Sequence, residues 1–245
     1  MTDIVTRRLR LRRFSRDDAP ALARYRSDPR VARYQSWRSP LDQAEAVAII
    51  TDYLTENPDG PGFFQYAIEL DQRPGLIGDL AVAIETGRSR AVMGITLSPD
   101  MHHQGYATEA MIAVADRLFT TGVERITATC DARNSASARL LRRVGFEQQG
   151  RENQYVEQRG RHADVLVFRM SAEQLRPLRN LPGTSRVPTA ITDRTHARSE
   201  QENSMDPARP GDRSVKPADE SEARVDSVTT PSQLDESGDS GEPEA

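Results

Sequence analysis

The segment best suited to chemistry is a run of small and polar residues where a predicted strand gives way to a predicted helix. Residues 98–110 have the sequence S-P-D-M-H-H-Q-G-Y-A-T-E-A. The first N–H groups of a helix lack partners and lie at the positive end of its dipole. Gly105 and Ala107 would let a ligand approach closely, and Glu109 is expected to be a first-turn carboxylate that the dipole favours. The segment therefore suits a phosphate group, with an ordinary glycine turn before a helix as the alternative.

A second group of candidates lies at the next predicted strand-to-helix junction. Asn134 and Ser137 occupy the start of a short predicted helix, where these residue types commonly act as caps. Cys130 is the only cysteine, which excludes an internal disulfide and any site built from several cysteines. We expect Cys130 to be a small core residue and expect no metal site.

The elements that must position these residues begin with a strand and two helices. Residues 6–13 alternate leucine with arginine, the pattern of a half-buried strand, and a helix is expected from about Asp17. In the second helix Ser39 is the predicted cap, Pro40 occupies the first turn and Asp42 completes a capping box. The predicted apolar stripe of this helix comprises Ala44, Val47, Ala48 and Leu54.

The rest of the pattern predicts a meander followed by alternating helices and strands. Strands near residues 64–70, 76–84 and 91–97 are separated by the turns R-P-G and T-G. A helix from Tyr106 to about Gly122 precedes a strand around Cys130. A short helix closed by Gly145 and strands near residues 151–157 and 163–170 complete the pattern. The fold class is therefore α+β, with helices packed on a mostly antiparallel sheet.

Composition separates a folded part from a polar end. All 13 aromatic residues lie between Phe14 and Phe168, and eight prolines follow from Pro177 onward. Residues 1–38 carry 11 arginines and 4 aspartates, a net charge of +7, whereas residues 201–245 carry 4 basic and 12 acidic side chains, a net charge of −8. We predict a folded domain over residues 1–176 and a disordered acidic tail, rich in Pro and Ser, over residues 177–245. Without an apolar run of about 20 residues, a cytoplasmic location is expected.

Two long runs resemble the GNAT superfamily of acyl-CoA-dependent N-acetyltransferases, in its RimJ/RimL-like branch. They are G-I-T-L-S-P-D-M-H-H-Q-G-Y-A-T-E-A and D-A-R-N-S-A-S-A-R-L-L-R-R-V-G-F, supported by T-R-R-L-R-L-R near the start and G-L-I-G-D in the meander. The resemblance covers roughly residues 6–170. It implies a GNAT-like, mostly antiparallel central sheet with a splayed strand pair and with helices on both faces.

The resemblance also implies that acetyl-CoA is the co-substrate. The family's pyrophosphate loop, Q/R-x-x-G-x-G/A, corresponds to residues 102–107, where His102 replaces Gln or Arg. The pantetheine arm would enter between the splayed strands, and Arg139 is a candidate for the 3′-phosphate or, by default, a solvated helix arginine. The resemblance assigns to acetyl-CoA binding the residues Ile95, Thr96, Leu97, His102, His103, Gln104, Gly105, Tyr106, Ala107, Thr108, Asn134 and Arg139.

Catalysis is assigned to two residues. Ser137 matches the family position that can protonate the leaving thiolate. The glutamate that often acts as base, two residues before the Gly of G-I-T-L, is replaced by Val92. Asp79 is the best-placed candidate for that role, with an exposed strand carboxylate as the favoured alternative. The other candidates are Glu85 and the two loop histidines.

The expected activity is transfer of acetyl from acetyl-CoA to a primary amine by direct attack in a ternary complex. The leading acceptor is the N-terminal α-amine of a protein, because an α-amine is neutral far more often than lysine and depends less on a base. The alternatives are a small amine, such as an antibiotic or a polyamine, and a non-catalytic acyl-CoA-binding module. We expect no membrane or nucleic-acid partner, and a monomer or homodimer.

Overall fold

The computed structural model describes residues 3–58, 60–156 and 161–178. The strands are β1 (Ile4–Val5), β2 (Leu9–Arg12), β3 (Gly62–Leu70), β4 (Arg73–Ile84), β5 (Arg90–Leu97), β6 (Arg125–Asp131), β7 (Glu147–Val156) and β8 (Arg161–Ser171). The helices are α1 (Ala19–Ser27), α2 (Pro29–Ala32), α3 (Gln43–Tyr53), α4 (Tyr106–Thr120), α5 (Ser135–Arg143) and α6 (Ala172–Leu175). The predicted tail lies outside the described residues except for its first two, so its boundary stays a prediction.

The described strands form one sheet in the order β1-β2-β3-β4-β5-β6-β8-β7. Neighbouring strands run antiparallel except for β5 and β6, which are parallel. The predicted mostly antiparallel α+β fold is thereby confirmed, including the meander of β3, β4 and β5. No helix in the described part of the chain has both the length and the apolar character needed to cross a bilayer.

Helices cover both faces of this sheet. One apolar cluster joins α4 and α5 to side chains such as Phe64 and Ile68 on one face of β3. A second cluster joins α1 and α3 to Ala67, which points to the opposite face. Gln65 is also buried. The central strands therefore lack the solvent-facing side that simple alternation predicts, since helices pack on both sides.

Helix α3 differs from its prediction in both its start and its buried face. Asp42 is the N-cap and forms a capping box with Glu45, so Ser39 does not cap the helix. The buried face consists of Ala46, Ile50 and Tyr53, whereas Val47 is 37% exposed. The predicted stripe was wrong for Ala44, Val47 and Ala48, which are exposed, whereas Leu54 does pack against the second cluster. The sequence offers two apolar faces at helical spacing, and the face that carries Ile50 and Tyr53 is buried.

Candidate active site

A V-shaped gap opens between the two parallel strands. Only residues 90–92 of β5 pair with residues 125–127 of β6 in the described structure, and the last rung joins Val92 to Thr127. Beyond that rung β5 continues to Leu97 and β6 to Asp131. The strands therefore separate towards the carboxyl end of β5. A cavity of about 110 Å³ occupies this gap and is lined by β4, β5, β6, α5 and β8.

A larger groove of about 410 Å³ lies at the open end of the gap. It runs over the end of β5, the loop before α4 and the start of α5. Most of the residues assigned to acetyl-CoA from the sequence line it: Ile95, Thr96, Leu97, His102, His103, Gly105, Tyr106, Ala107, Thr108, Asn134 and Arg139. Gln104 does not line the groove, because its side chain donates to the Asp100 carbonyl at 2.9 Å, back within the loop.

The loop between β5 and α4 is held in one conformation by local bonds. Gly105 is the N-terminal cap of α4 and has φ of +80°, in the left-handed region that favours glycine. His103 also has a positive φ, +60°. A ring nitrogen of His102, Nε2, lies 3.0 Å from the Leu97 carbonyl and links the loop to the end of β5. The loop thus presents the start of α4 to the groove.

Asn134 and Ser137 lie where the gap meets the groove, and both line each cavity. The side-chain oxygen of Asn134 accepts a hydrogen bond from the Ser137 N–H at 3.1 Å, so Asn134 is the N-cap of α5. Burial raises the pKa of the Cys130 thiol, and the neighbouring Ser137 side chain opposes this effect only in part. Cys130 is a buried core residue, as predicted, and its thiol is a poor nucleophile because it stays protonated.

Asp79 lines the inner part of the gap and is not the exposed carboxylate that the sequence favoured. The residue is 2% exposed. Its carboxylate accepts hydrogen bonds from the Tyr25 hydroxyl and the Gln65 amide, and an Arg26 Nη2 lies 3.5 Å away. The expectation failed because the partners of Asp79 come from α1 and β3, which are distant in sequence.

The other carboxylates singled out by the sequence lie elsewhere. Glu85 forms an ion pair with Arg90 beside the turn between β4 and β5. Glu109, in the first turn of α4 as expected, is 3% exposed. Val92 lines the gap as a buried apolar residue at the position where the family often has glutamate.

Three arginines of α5 differ in their surroundings. Arg139 and Arg143 line the groove. Arg142 instead donates to the Gln148 side chain at 2.6 Å, and its guanidinium lies over the Phe168 ring. Two cations of α5 therefore face the groove beside the start of α4.

Sequence reasoning missed the segment that follows α2. Tyr34 and Gln35 line both cavities, and Arg30 of α2 lines the groove. Tyr34 also lies against two cations, Arg33 at 5.3 Å and Arg133 at 6.0 Å from its ring centroid. The segment has no strand or helix period. The sequence feature that could have indicated its role is a pair of aromatic residues, Tyr34 and Trp37, in a stretch without a predicted helix or strand.

Comparison with known proteins identifies this architecture. The family model described as an acetyltransferase (GNAT) domain matches residues 8–147. The chain belongs to the GNAT acetyltransferase family. The chain is 31% identical over 172 residues to the uncharacterized N-acetyltransferase p20 of Bacillus licheniformis, covering 69% of this chain and 95% of that protein. It is 30% identical to YoaA, an uncharacterized N-acetyltransferase of Bacillus subtilis, covering 66% and 93%.

Solved structures agree with the fold of this GNAT enzyme. A GNAT-family acetyltransferase from Bacillus anthracis superposes with a TM-score of 0.63 at 22% identity, covering 70% of this chain and 99% of that one. RimL, a ribosomal L7/L12 alpha-N-protein acetyltransferase solved with coenzyme A, superposes with a TM-score of 0.61 at 21% identity and the same coverage. As a GNAT acetyltransferase, the protein uses acetyl-CoA as its co-substrate and an amine as its acceptor.

Proposed function

We propose that this GNAT enzyme acetylates the N-terminal α-amine of a protein or peptide. The supporting observation is that each carboxylate that lines the gap lies beside an arginine. Of the described residues that line it, only Asp79 and Asp131 carry a carboxylate, and none is a histidine. Asp79 lies beside Arg26, and Asp131 forms an ion pair with Arg133 at 2.5 Å. Both carboxylates are thus engaged by arginines, which argues against a strong base in the gap.

Proton arithmetic connects this observation to the acceptor. Only a neutral amine can attack a thioester. With a reference pKa of about 7.7 to 8.0, roughly 10 to 20% of an α-amine is neutral at pH 7, whereas lysine, at about 10.4, is neutral in about one molecule in 2,500. A positioned base typically contributes about 100- to 10,000-fold, which is comparable to the deficit of lysine. An enzyme that lacks such a base is therefore better suited to α-amines.

Arg26 and Arg133, the partners of the two aspartates in the gap, also argue against a small polycationic acceptor. A polyamine or an aminoglycoside-like amine needs an acidic pocket, because several positive charges must be compensated when the ligand is desolvated. Here the negative charges of Asp79 and Asp131 are offset by neighbouring guanidinium groups. Arg33 lies 5.3 Å from the centroid of the Tyr34 ring, which lines the gap, and adds a further positive charge nearby.

The placement of acetyl-CoA in this proposal follows the groove. Its pyrophosphate lies against the N–H groups at the start of α4, over residues 102–108, and the pantetheine runs along residues 95–97 into the gap. Asn134 contacts the pantetheine, and Arg139 approaches the 3′-phosphate. The thioester then lies near Ser137, which lines both the groove and the gap.

The proposed reaction is a direct transfer. The amine nitrogen forms a bond to the thioester carbonyl carbon, and the bond from that carbon to sulfur breaks. The Ser137 hydroxyl donates a proton to the leaving thiolate and regains one from water, while the amine releases its surplus proton to solvent. The Asp79 carboxylate, which lines the gap, stabilises the positive charge that develops on the attacking nitrogen. Positioning of the two substrates supplies the rest of the rate.

The decisive experiment compares two peptides that are matched in length and differ only in the amine that they offer. One has a free N-terminus and no lysine, and the other has a blocked N-terminus and one internal lysine. We expect kcat/KM to favour the α-amine peptide at pH 7 and to rise with pH in parallel with ionisation of the acceptor amine. A clear preference for the lysine peptide, or for a polyamine assayed beside the two, would refute the proposal.

A further inference from the structure

A brace of three elements lies beneath the loop that faces the groove. It is formed by Arg8, between β1 and β2, by the Gln104 backbone in the loop, and by Glu109 in the first turn of α4. Arg8 Nε donates to Glu109 Oε2 at 2.6 Å, and Arg8 Nη1 donates to the Gln104 carbonyl at 2.9 Å. The guanidinium also lies 4.6 Å from the centroid of the Tyr106 ring. One side chain thus contacts the loop and the helix that follows it.

Glu109 anchors this brace inside the protein. Its Oε1 accepts hydrogen bonds from the Thr6 hydroxyl at 2.6 Å and from the Arg8 backbone N–H at 2.9 Å, in addition to the contact with the guanidinium. The Glu109 side chain is 3% exposed, and that of Arg8 is 33% exposed. A buried carboxylate with this many donors has little freedom to move, because any displacement would leave a buried charge without its partners.

The brace determines how the loop backbone is oriented. The carbonyl of Gln104 and the N–H of Gly105 belong to one planar peptide and point in opposite directions. Because Arg8 holds that carbonyl, the Gly105 N–H is turned to the other side. A Cβ on Gly105 would lie 3.3 Å from Arg8 Nη2, so the guanidinium lies directly against this peptide. Gly105, Tyr106 and Ala107 all line the groove, whereas Arg8 is not among its described lining residues.

We propose that Arg8 is a positioning residue for acetyl-CoA binding, which holds the backbone N–H groups at the start of α4 towards the pyrophosphate without touching the ligand. The proposal rests on the proposed placement of the pyrophosphate at this loop. The planar fork of arginine suits the task, since separate N–H groups reach the carboxylate and the carbonyl while the face covers an aromatic ring. A lysine ammonium can replace the charge but not this arrangement.

The test uses Arg8→Lys and Arg8→Met in the full-length chain, with Arg10→Met as the matched control. Arg10 is also an arginine near the start of the chain, but its ion pairs with Asp3 and Glu69 are long, 3.7 and 3.9 Å, and its side chain is 44% exposed. Dissociation constants are measured for acetyl-CoA and for S-acetyl-pantetheine, which lacks the pyrophosphate, and melting temperatures check that the variants fold.

We expect both Arg8 variants to bind acetyl-CoA about tenfold or more weakly, since hydrogen bonds to charged groups are lost. Binding of S-acetyl-pantetheine should be unchanged, and Arg10→Met should bind both ligands like the wild type. Unchanged acetyl-CoA binding by a folded Arg8→Lys, or equal weakening of both ligands, would overturn the role of Arg8. A wild-type enzyme that binds the two ligands equally well would instead refute the placement of the pyrophosphate, and the Arg8 proposal with it.

Discussion

Replacing Asp79 by asparagine removes one charge from a buried pair while keeping the shape of the side chain. Arg26 would then remain as a buried cation, 1% exposed, beside a neutral amide. Among the residues that the structure describes, its Nε and Nη1 atoms have no hydrogen-bond partner. Apart from Asp79, Arg26 is compensated by the Tyr53 hydroxyl, at 3.2 Å, and by the Trp37 ring, at 4.7 Å. Most of its electrostatic compensation therefore comes from Asp79.

The expected loss of stability follows from the distance between the charges. At 3.5 Å and an effective dielectric constant of about 20, two unit charges attract each other by about 5 kcal/mol. Removal of one partner of a buried pair typically costs about 3 to 5 kcal/mol. We therefore expect Asp79→Asn to lower the free energy of unfolding by about 3 to 5 kcal/mol. Adding Arg26→Met removes the unpaired charge and should restore at least about 2 kcal/mol of that loss.

Urea unfolding followed by tryptophan fluorescence measures these values. Trp37 is the only tryptophan of the chain, and its indole N–H donates to the Arg26 carbonyl at 3.2 Å, so its signal reports on this region. The four proteins of the double-mutant cycle are the wild type, the two single variants and the double variant. Additive effects of the two substitutions, or a loss below about 0.5 kcal/mol in Asp79→Asn, would refute the account of a coupled buried pair.

The same variant tests the chemical role of Asp79. If Asp79 only supplies a fixed negative charge, the folded fraction of Asp79→Asn should keep kcat/KM within about 100-fold of the wild type, because a general base typically contributes about 100- to 10,000-fold. Its pH profile should still follow ionisation of the acceptor amine. A larger loss in folded protein, with a pH profile that no longer follows the acceptor, would make Asp79 the general base.

Three further predictions concern other parts of the fold. Gly105→Glu should weaken acetyl-CoA binding at least about tenfold in calorimetry, since its Cβ would lie 3.3 Å from Arg8 Nη2 and the new carboxylate would draw the guanidinium away from the Gln104 carbonyl, whereas Gly122→Glu, also at a positive φ (+94°) but with open space around it, should not. Cys130→Ala should retain activity, because burial raises the pKa of the thiol, and loss of turnover in the folded variant would indicate a covalent role. Burial also raises the pKa of Glu56 from 4.5 to about 8, so the neutral form is favoured in the folded state and the free energy of unfolding should fall as pH rises from about 4.5 to 8. This decline should be smaller in Glu56→Gln, and an identical pH dependence of the two proteins would contradict it.

The sequence was sufficient to predict the elements that frame the groove. Glycine at the start of α4 and the apolar period of that helix are local features, and the structure has both, with α4 at Tyr106–Thr120. The meander of β3, β4 and β5 was also predictable from local features, since two short turns separate three apolar runs in the sequence. The position of the loop beside β5 therefore followed from residues that are neighbours in sequence.

The surroundings of Asp79 and Glu109 could not be predicted in this way. Asp79 is bonded to Tyr25, 54 residues earlier, and Glu109 to Thr6, 103 residues earlier. A carboxylate in a strand or in a first helical turn is usually solvated, and only the packing of α1 and of the β1–β2 turn supplies partners for these two. Similarly, Tyr34 follows no period, and its position at the gap depends on the packing of α2.

The divergence of β5 and β6 leaves an open backbone edge in the middle of the sheet rather than at its margin. Strand edges are usually blunted or covered, since they attract other chains. The opening narrows to Val92, and in the proposed placement the pantetheine amides take the place of a neighbouring strand there. A ligand that completes the folded state also stabilises it by mass action, by about 2.7 kcal/mol at a concentration 100 times its dissociation constant. We therefore expect the melting temperature of this enzyme to rise with the acetyl-CoA concentration.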